Sequence, residues 1–211
     1  MTAQRQPWPE QLAGTPAVAV IERAIEKRRL SHSLLLAGGD TAVLGAVAAA
    51  IADRLLNGAG SAAAFPVSGH PDAHELRPAK KMRQISAEAT RDLITELQKT
   101  PAVAPRKVAI IHECDRMHVA AANIFLKTLE EPPANTTLLL TTARPHALLP
   151  TIRSRCLLFR FPAPDTTPPP NGWDAWLADY REWLGQLAAG VSGKTGAADA
   201  LMTLYGLLAR F

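Results

Sequence analysis

Five short strand-like segments, each separated from the next by a stretch of helical period, limit what this chain can fold into more than any other feature. Four are strong, SLLLAGG (33–39), RKVAIIHE (106–113), TTLLLTT (136–142) and CLLFRF (156–161), and AHELRP (73–78) is a weaker fifth. A nearly unbroken Leu/Ile/Val run offers no polar face to water, so such strands must be covered on both sides. The covers are predicted from the intervening periodicity. Pro16 to Leu30 gives an amphipathic helix with Val20, Ile21, Ala24 and Ile25 on one side, and a second helix runs from about Asp40 to Leu56. Ser86 caps a third that carries Glu88 early and turns Leu93, Ile94 and Leu97 inward before Pro101. Met117 to Glu131 repeats the period through Ala122, Phe125, Leu126 and Leu129 until Pro132 and Pro133 stop it, and HALLPTIRSR predicts a short helix interrupted by Pro150. The alternation predicts an α/β fold, a parallel five-stranded sheet with helices on both faces.

The alternation ends near residue 162. PAPDTTPPP holds five prolines in nine residues. It cannot donate a regular ladder and is expected to be a stiff linker over 163–171. Beyond it, residues 172–211 carry two helical patterns, one with Trp173, Trp176, Tyr180, Trp183 and Leu187, the other with Leu201, Leu204, Tyr205 and Leu208. Aromatic residues at helical spacing predict a packing face, toward the sheet or toward another chain. The stretch from Asn57 to Gly69 is rich in Gly, Ala and Ser and predicts a loop or a degraded small module.

At 211 residues with 47% hydrophobic content the chain can bury a core for one large domain and a small appendage. A net charge of +4 with both signs interspersed permits contact with nucleic acid without demanding it. The longest apolar run, Thr41 to Ala52, is too short for a bilayer span. The N-terminus lacks a basic region followed by an apolar core, so the cytoplasm is expected. Cys114 and Cys156 do not form a Cys-dense framework, which predicts free thiols.

From Lys107 to Cys156 the sequence KVAIIHECDRMHVAAANIFLKTLEEPPANTTLLLTTARPHALLPTIRSRC closely resembles the run from Walker B through sensor 1 to the Ser-Arg-Cys motif of bacterial clamp-loader ATPases. Weaker similarity extends through SHSLLLAG and SGHPDAHEL, so that the likeness covers about residues 10 to 162. It implies an AAA+ P-loop NTPase-like domain over 1–162, within a five-subunit ring that opens a sliding clamp and places it on primed DNA. Implied partners are an ATPase neighbour of the gamma/tau type, a delta-type subunit, the clamp indirectly and primed DNA through the complex, with no membrane. Members continue into a lid and a helical collar, so 172–211 is expected to be a reduced form of these.

Catalytic members carry a Gly-rich loop with a Lys and a Ser or Thr for phosphates and magnesium. The corresponding turn here, Gly38, Gly39, Asp40 and Thr41, has no Lys anywhere between Leu30 and Arg54. The family's Walker B Asp-Glu is His112 and Glu113, and a neutral imidazole is a poor magnesium ligand. The resemblance therefore implies a delta-prime type subunit with a degenerate nucleotide site, no hydrolysis of its own, and no cofactor or metal. Ser154, Arg155 and Cys156 remain intact, and in the family this arginine reaches a neighbour's ATP site as a finger. The bland alternative is that Arg155 only pairs with a carboxylate at the end of its strand. An active gamma/tau-type ATPase and a stand-alone AAA+-like adaptor are the rival functions.

Other motifs have structural explanations. GVSGKTG (190–196) lacks the first P-loop glycine, since Ala188 stands there, and follows a Trp-rich helix rather than a strand. HECDRMH places Arg116 where a zincin needs its second His, and the four-cysteine zinc module of related proteins is replaced by GAGSAAAFPVSG. Lys27, Arg28 and Arg29, and Lys80, Lys81 and Arg83, are candidate phosphate contacts or simply solvated faces.

Overall fold

A computed structural model describes residues 5–58, 65–79, 82–161, 172–191 and 193–208. The chain divides into two compact units, Met1–Pro164 and Asp165–Phe211. The proline-rich segment 163–171 lies outside the described residues, as do Lys80 and Lys81.

The first unit contains, in order, α1 (Pro16–Glu26), β1 (Ser33–Gly38), α2 (Thr41–Asn57), β2 (Ala73–Leu76), α3 (Ala87–Gln98), β3 (Lys107–Ile111), α4 (Val119–Glu130), β4 (Thr136–Thr142), α5 (Pro150–Arg153) and β5 (Leu157–Phe161). The strands form one parallel sheet in the order β2-β3-β4-β1-β5. Period-2 alternation within the apolar runs feeds two cores. Leu34 and Leu36 of β1, Val108 and Ile110 of β3 and Leu139 of β4 pack with α1 and α2 on one face. Leu35, Ala109, Ile111, Leu138 and Leu140 pack with α3, α4 and α5 on the other. Strands β1, β3 and β4 are buried almost throughout, as unbroken apolar runs require.

Local chemistry sets the ends of the elements. Ser86 Oγ accepts from Ala89 N at 3.2 Å and starts α3. At the end of α3 the buried Lys107 ammonium donates to the carbonyls of Glu96, Leu97 and Lys99, tying the last turn of that helix to β3. Asp72, also buried, accepts from the N–H groups of Ala102 (2.5 Å), Val103 (2.8 Å) and Ala104 (2.7 Å) and so fixes the α3–β3 loop. Burial pushes its carboxyl up, but these three donors more than offset that and hold it below its ordinary value.

Three boundaries differ from the sequence expectation. Helix α1 stops at Glu26 instead of Leu30, because Arg28 turns left-handed (φ 52°), and Val20 is 56% exposed while Val18 and Ile21 are buried. Helix α4 starts at Val119, because residues Cys114–Arg116 form a separate 3-10 turn. Pro150 begins α5 rather than interrupting a helix, since its missing N–H is harmless in a first turn.

The second unit is described by α6 (Trp173–Ala188) and α7 (Gly193–Leu208). Trp173, Trp176, Tyr180 and Trp183 form a stacked ladder with centroid spacings of 5.3, 5.2 and 5.6 Å. The Trp176 and Trp183 indoles donate to the carbonyls of Leu207 and Ala200, so the ladder packs on α7. Leu201, Tyr205 and Leu208 do not join that face: they are exposed, and Leu207 is buried instead.

Candidate functional site

In parallel α/β sheets, ligands bind beyond the carboxyl ends of the strands. Gly38, Gly39, Asp40 and Thr41 lie there, at the end of β1, and His112 and Glu113 lie there at the end of β3. The sequence-derived nucleotide-site residues are therefore on one edge of the sheet. Their local geometry is different from a phosphate cradle.

Gly39 and Asp40 alone separate β1 from α2, whereas a P-loop needs a longer glycine-bounded turn. Gly38 has a packing reason for lacking a side chain, because a Cβ there would collide with the Phe161 carbonyl of the adjacent strand. Asp40 is the N-cap of α2. Its Oδ1 accepts from Ala42 N at 2.8 Å and from Val43 N at 3.2 Å. These are the unpaired first-turn donors that would otherwise face an anion, and here the anion is a carboxylate of the chain itself.

His112 is buried, with Nε2 3.3 Å from Glu75 Oε2. That separation brings opposite charges together only if the ring is protonated, and Nε2 makes no hydrogen bond. Burial first, and then the Arg77 cation, push the imidazole below its ordinary value in spite of Glu75. A Cβ on Gly45 of α2 would stand 3.8 Å from this ring, in ordinary contact, so the imidazole packs beside that helix.

Glu113 adopts a left-handed backbone (φ 46°), which is costly for a non-glycine residue. It is held there by its N–H to Thr141 Oγ1 (3.2 Å) and by two ion pairs, Arg116 Nε at 2.6 Å and Arg83 Nη2 at 2.9 Å. Beside it Asp115 accepts from Thr142 Oγ1 at 2.7 Å and from Arg144 Nε and Nη2 at 3.0 and 2.7 Å. These ties between the ends of β3 and β4 were not visible in the sequence. Arg83, Arg116 and Arg144 are spaced irregularly along the chain and only the fold brings them together. At this edge the α2 donors Ala42 N and Val43 N are taken by Asp40, no lysine stands between Leu30 and Arg54, and Glu113 and Asp115 face arginines.

The members of HECDRMH likewise have separate structural partners, and His118 Nδ1 accepts from Ala120 N (3.3 Å) as the cap of α4. Among the described residues no group of three or more His, Cys, Asp or Glu could hold a metal ion.

At the opposite, amino edge of the sheet Ser154, Arg155 and Cys156 lead into β5. Ser154 Oγ donates to Thr151 O at 3.1 Å and Arg155 Nη1 donates to the same carbonyl at 3.0 Å. Arg155 Nη2 lies 2.5 Å from Glu130 Oε1, at the last turn of α4. Cys156 is half-buried beside α3, α4 and α5, and burial pushes its thiol up to about 12, which suits packing rather than nucleophilic chemistry. Both cysteines are free thiols. Glu130 is the residue that sequence reasoning left without a role. Its signal was a carboxylate at a helix C-terminus, where the dipole disfavours it unless a cation is near.

A family model described as DNA polymerase III, delta subunit, matches residues 14–165. DNA polymerase III subunit delta' of Pseudomonas aeruginosa is 41% identical over 95 residues, which is 45% of this chain and 29% of that protein. The subunit of the same description from Bacillus subtilis is 34% identical over 167 residues, 73% of this chain and 49% of that protein. Among solved structures, a DNA polymerase III gamma subunit-related protein of Thermotoga maritima superposes with TM-score 0.57 and 31% identity, covering 71% of this chain and 47% of that one. The chain thus spans less than half the length of each of these relatives.

Proposed function

Because the chain belongs to the DNA polymerase III delta-subunit family, delta-prime type, and has the AAA+ fold, we propose that it serves as a non-hydrolysing subunit of a clamp-loading assembly. In this reading it stands beside an ATPase subunit of the gamma/tau type, supplies Arg155 in trans, and helps place a sliding clamp on primed DNA. Residues 1–162 form the AAA+ domain, 163–171 the linker, and 172–211 a helical segment that contributes to assembly.

One observation carries the non-hydrolysing part: Asp40 Oδ1 sits on the first-turn donors Ala42 N and Val43 N. A triphosphate would have to displace a covalently tethered anion and would meet like charge in doing so. No lysine stands between Leu30 and Arg54 to offset this, and Glu113, paired with Arg83 and Arg116, is not free to polarise a water. Arg155, by contrast, is 34% exposed. A guanidinium brought to a neighbour's phosphoryl group neutralises the charge that develops there, and such fingers are worth on the order of 10³-fold or more in rate.

The test is ATP hydrolysis by the reconstituted clamp loader, with clamp and primed DNA, comparing this chain with Arg155→Ala, after equilibrium dialysis of the isolated chain against ATP. We expect no binding by the isolated chain and a large loss of hydrolysis with assembly intact. Unchanged hydrolysis would leave a scaffold at most, and failure to assemble would favour the stand-alone adaptor. ATP retained by the isolated chain would favour the gamma/tau-type ATPase.

A further inference from the structure

The finger reading leaves one group unused, the carboxylate that faces Arg155 in its own chain. Glu130 closes α4, where a negative charge opposes the helix dipole, and Arg155 is its partner, with Oε1 2.5 Å from Nη2. The second contact, Nη1 to the Thr151 carbonyl, fixes the guanidinium between α4 and α5. The pair is open to solvent on both sides, with Glu130 49% and Arg155 34% exposed. The other charged side chains in the last turn of α4 and at the end of α5, Lys127, Glu131 and Arg153, have no ion pair among the described residues, so they do not compete for either partner.

A carboxylate in contact neutralises most of the field of its guanidinium, so an approaching anion meets a dipole rather than a cation. To meet a phosphoryl oxygen as an unneutralised cation, Arg155 must exchange Glu130 for it. Because the pair is exposed, that exchange is cheap: such pairs shift equilibria by about 1.5- to 5-fold. Resting on the assignment of Arg155 as a finger, we propose that Glu130 is a positioning residue that holds Arg155 in cis and releases it to a neighbour's triphosphate, so that finger action includes displacement of this carboxylate.

The test is a double-mutant cycle in the reconstituted loader with clamp and primed DNA, purified by gel filtration to confirm assembly. Glu130→Gln removes the charge and keeps the shape. It is expected to raise kcat for ATP hydrolysis about 1.5- to 5-fold at unchanged KM, and to have no effect in the Arg155→Ala background. An unchanged or lowered kcat with Glu130→Gln, or an increase that persists without Arg155, overturns the proposal while leaving the finger intact. If Arg155→Ala alone does not lower hydrolysis, the finger reading itself falls and this one with it. A second measurement does not depend on the assembly. In the isolated chain, phenylglyoxal should modify Arg155 faster in Glu130→Gln than in wild type, as read by peptide mass spectrometry. Equal rates would show that the carboxylate does not hold the guanidinium and would overturn the proposal.

Discussion

At the carboxyl edge of the sheet Asp40, Glu113 and Asp115 all face donors of their own chain, whereas at the amino edge Arg155 has a single carboxylate partner that water also reaches. The first edge carries the residues that the sequence resemblance places at a nucleotide site, and its charges are satisfied several times over. Asp115 is only 4% exposed and has both an arginine and a threonine; Glu113 has two arginines and a threonine hydroxyl against its N–H. A network of that kind resists exchange, because removing any partner strands another buried or half-buried group. At Arg155 the second edge has an exposed pair whose members can change partners at small cost, although Asp72 and Lys107 of that edge are buried and multiply bonded. The nucleotide-site positions thus lie in a multiply bonded network, while Arg155 has one exposed ion pair.

Charge removal at the two edges should separate them most clearly in activity. In the reconstituted loader Arg155→Ala is expected to lower hydrolysis at the receiving site by about 10³-fold or more. Glu113→Gln, at the position of a catalytic carboxylate, is expected to change it by less than about twofold, since an interaction absent from the transition state costs no rate. A Glu113→Gln loss comparable to that of Arg155→Ala would break the distinction and return the carboxyl edge to the chemistry.

In stability the largest effect is expected at Asp72, a fixed network at the start of β2 on the amino edge. Its carboxylate binds three backbone N–H groups, and Asp72→Ala is expected to destabilise the chain by about 2–3 kcal/mol at pH 7 in urea unfolding. The folded-state value of this carboxyl is depressed, so its contribution is present above the unfolded value near 3.8 and is lost as pH falls through the folded one. The gap between wild type and Asp72→Ala should therefore be full at neutral pH and narrow below about pH 4. A gap that widens on acidification would contradict the assignment.

Asp40→Ala tests the cap at the carboxyl edge itself. Loss of an N-cap costs about 1 kcal/mol, with the short β1–α2 turn otherwise unchanged. The same variant should still fail to bind ATP in dialysis, because removing the internal anion supplies neither a lysine nor a longer loop. Tight ATP binding by Asp40→Ala would mean that the carboxylate alone keeps the site closed.

Much of this arrangement was legible from residue order. The continuity of SLLLAGG, RKVAIIHE and TTLLLTT predicts buried parallel strands because no other element hides both faces of such a run, and the Ser86 cap follows from its hydroxyl standing before an amphipathic helix. Where the sequence misled, a single backbone torsion or an unfamiliar partner was responsible. Arg28 ends α1 through a left-handed turn that nothing about an arginine announces. Val20 fits the helical stripe by letter but lies on the outward side, because Val18 and Ile21 take the contact with the sheet. The lack of a lysine in the turn at Gly38–Thr41 was visible; that Asp40 accepts from Ala42 N and Val43 N was not, since that depends on α2 starting at once. Arg83 and Glu113 are 30 positions apart and meet only because β2 and β3 are adjacent.

Glu130→Gln should have the smallest effect on stability, and its size bears on why the two edges differ. A half-exposed ion pair contributes roughly 0.2–1 kcal/mol, and the loss of Glu130's charge also relieves its unfavourable position at a helix C-terminus. The net change in urea unfolding should be below about 0.5 kcal/mol, since the two contributions oppose each other. A cost of several kcal/mol, similar to that of Asp72→Ala, would place this pair among the fixed networks and deny Arg155 an inexpensive exchange. A near-zero cost, together with an altered hydrolysis rate, would separate folding from function at this edge: the pair would matter for where the guanidinium is held and little for whether the domain folds.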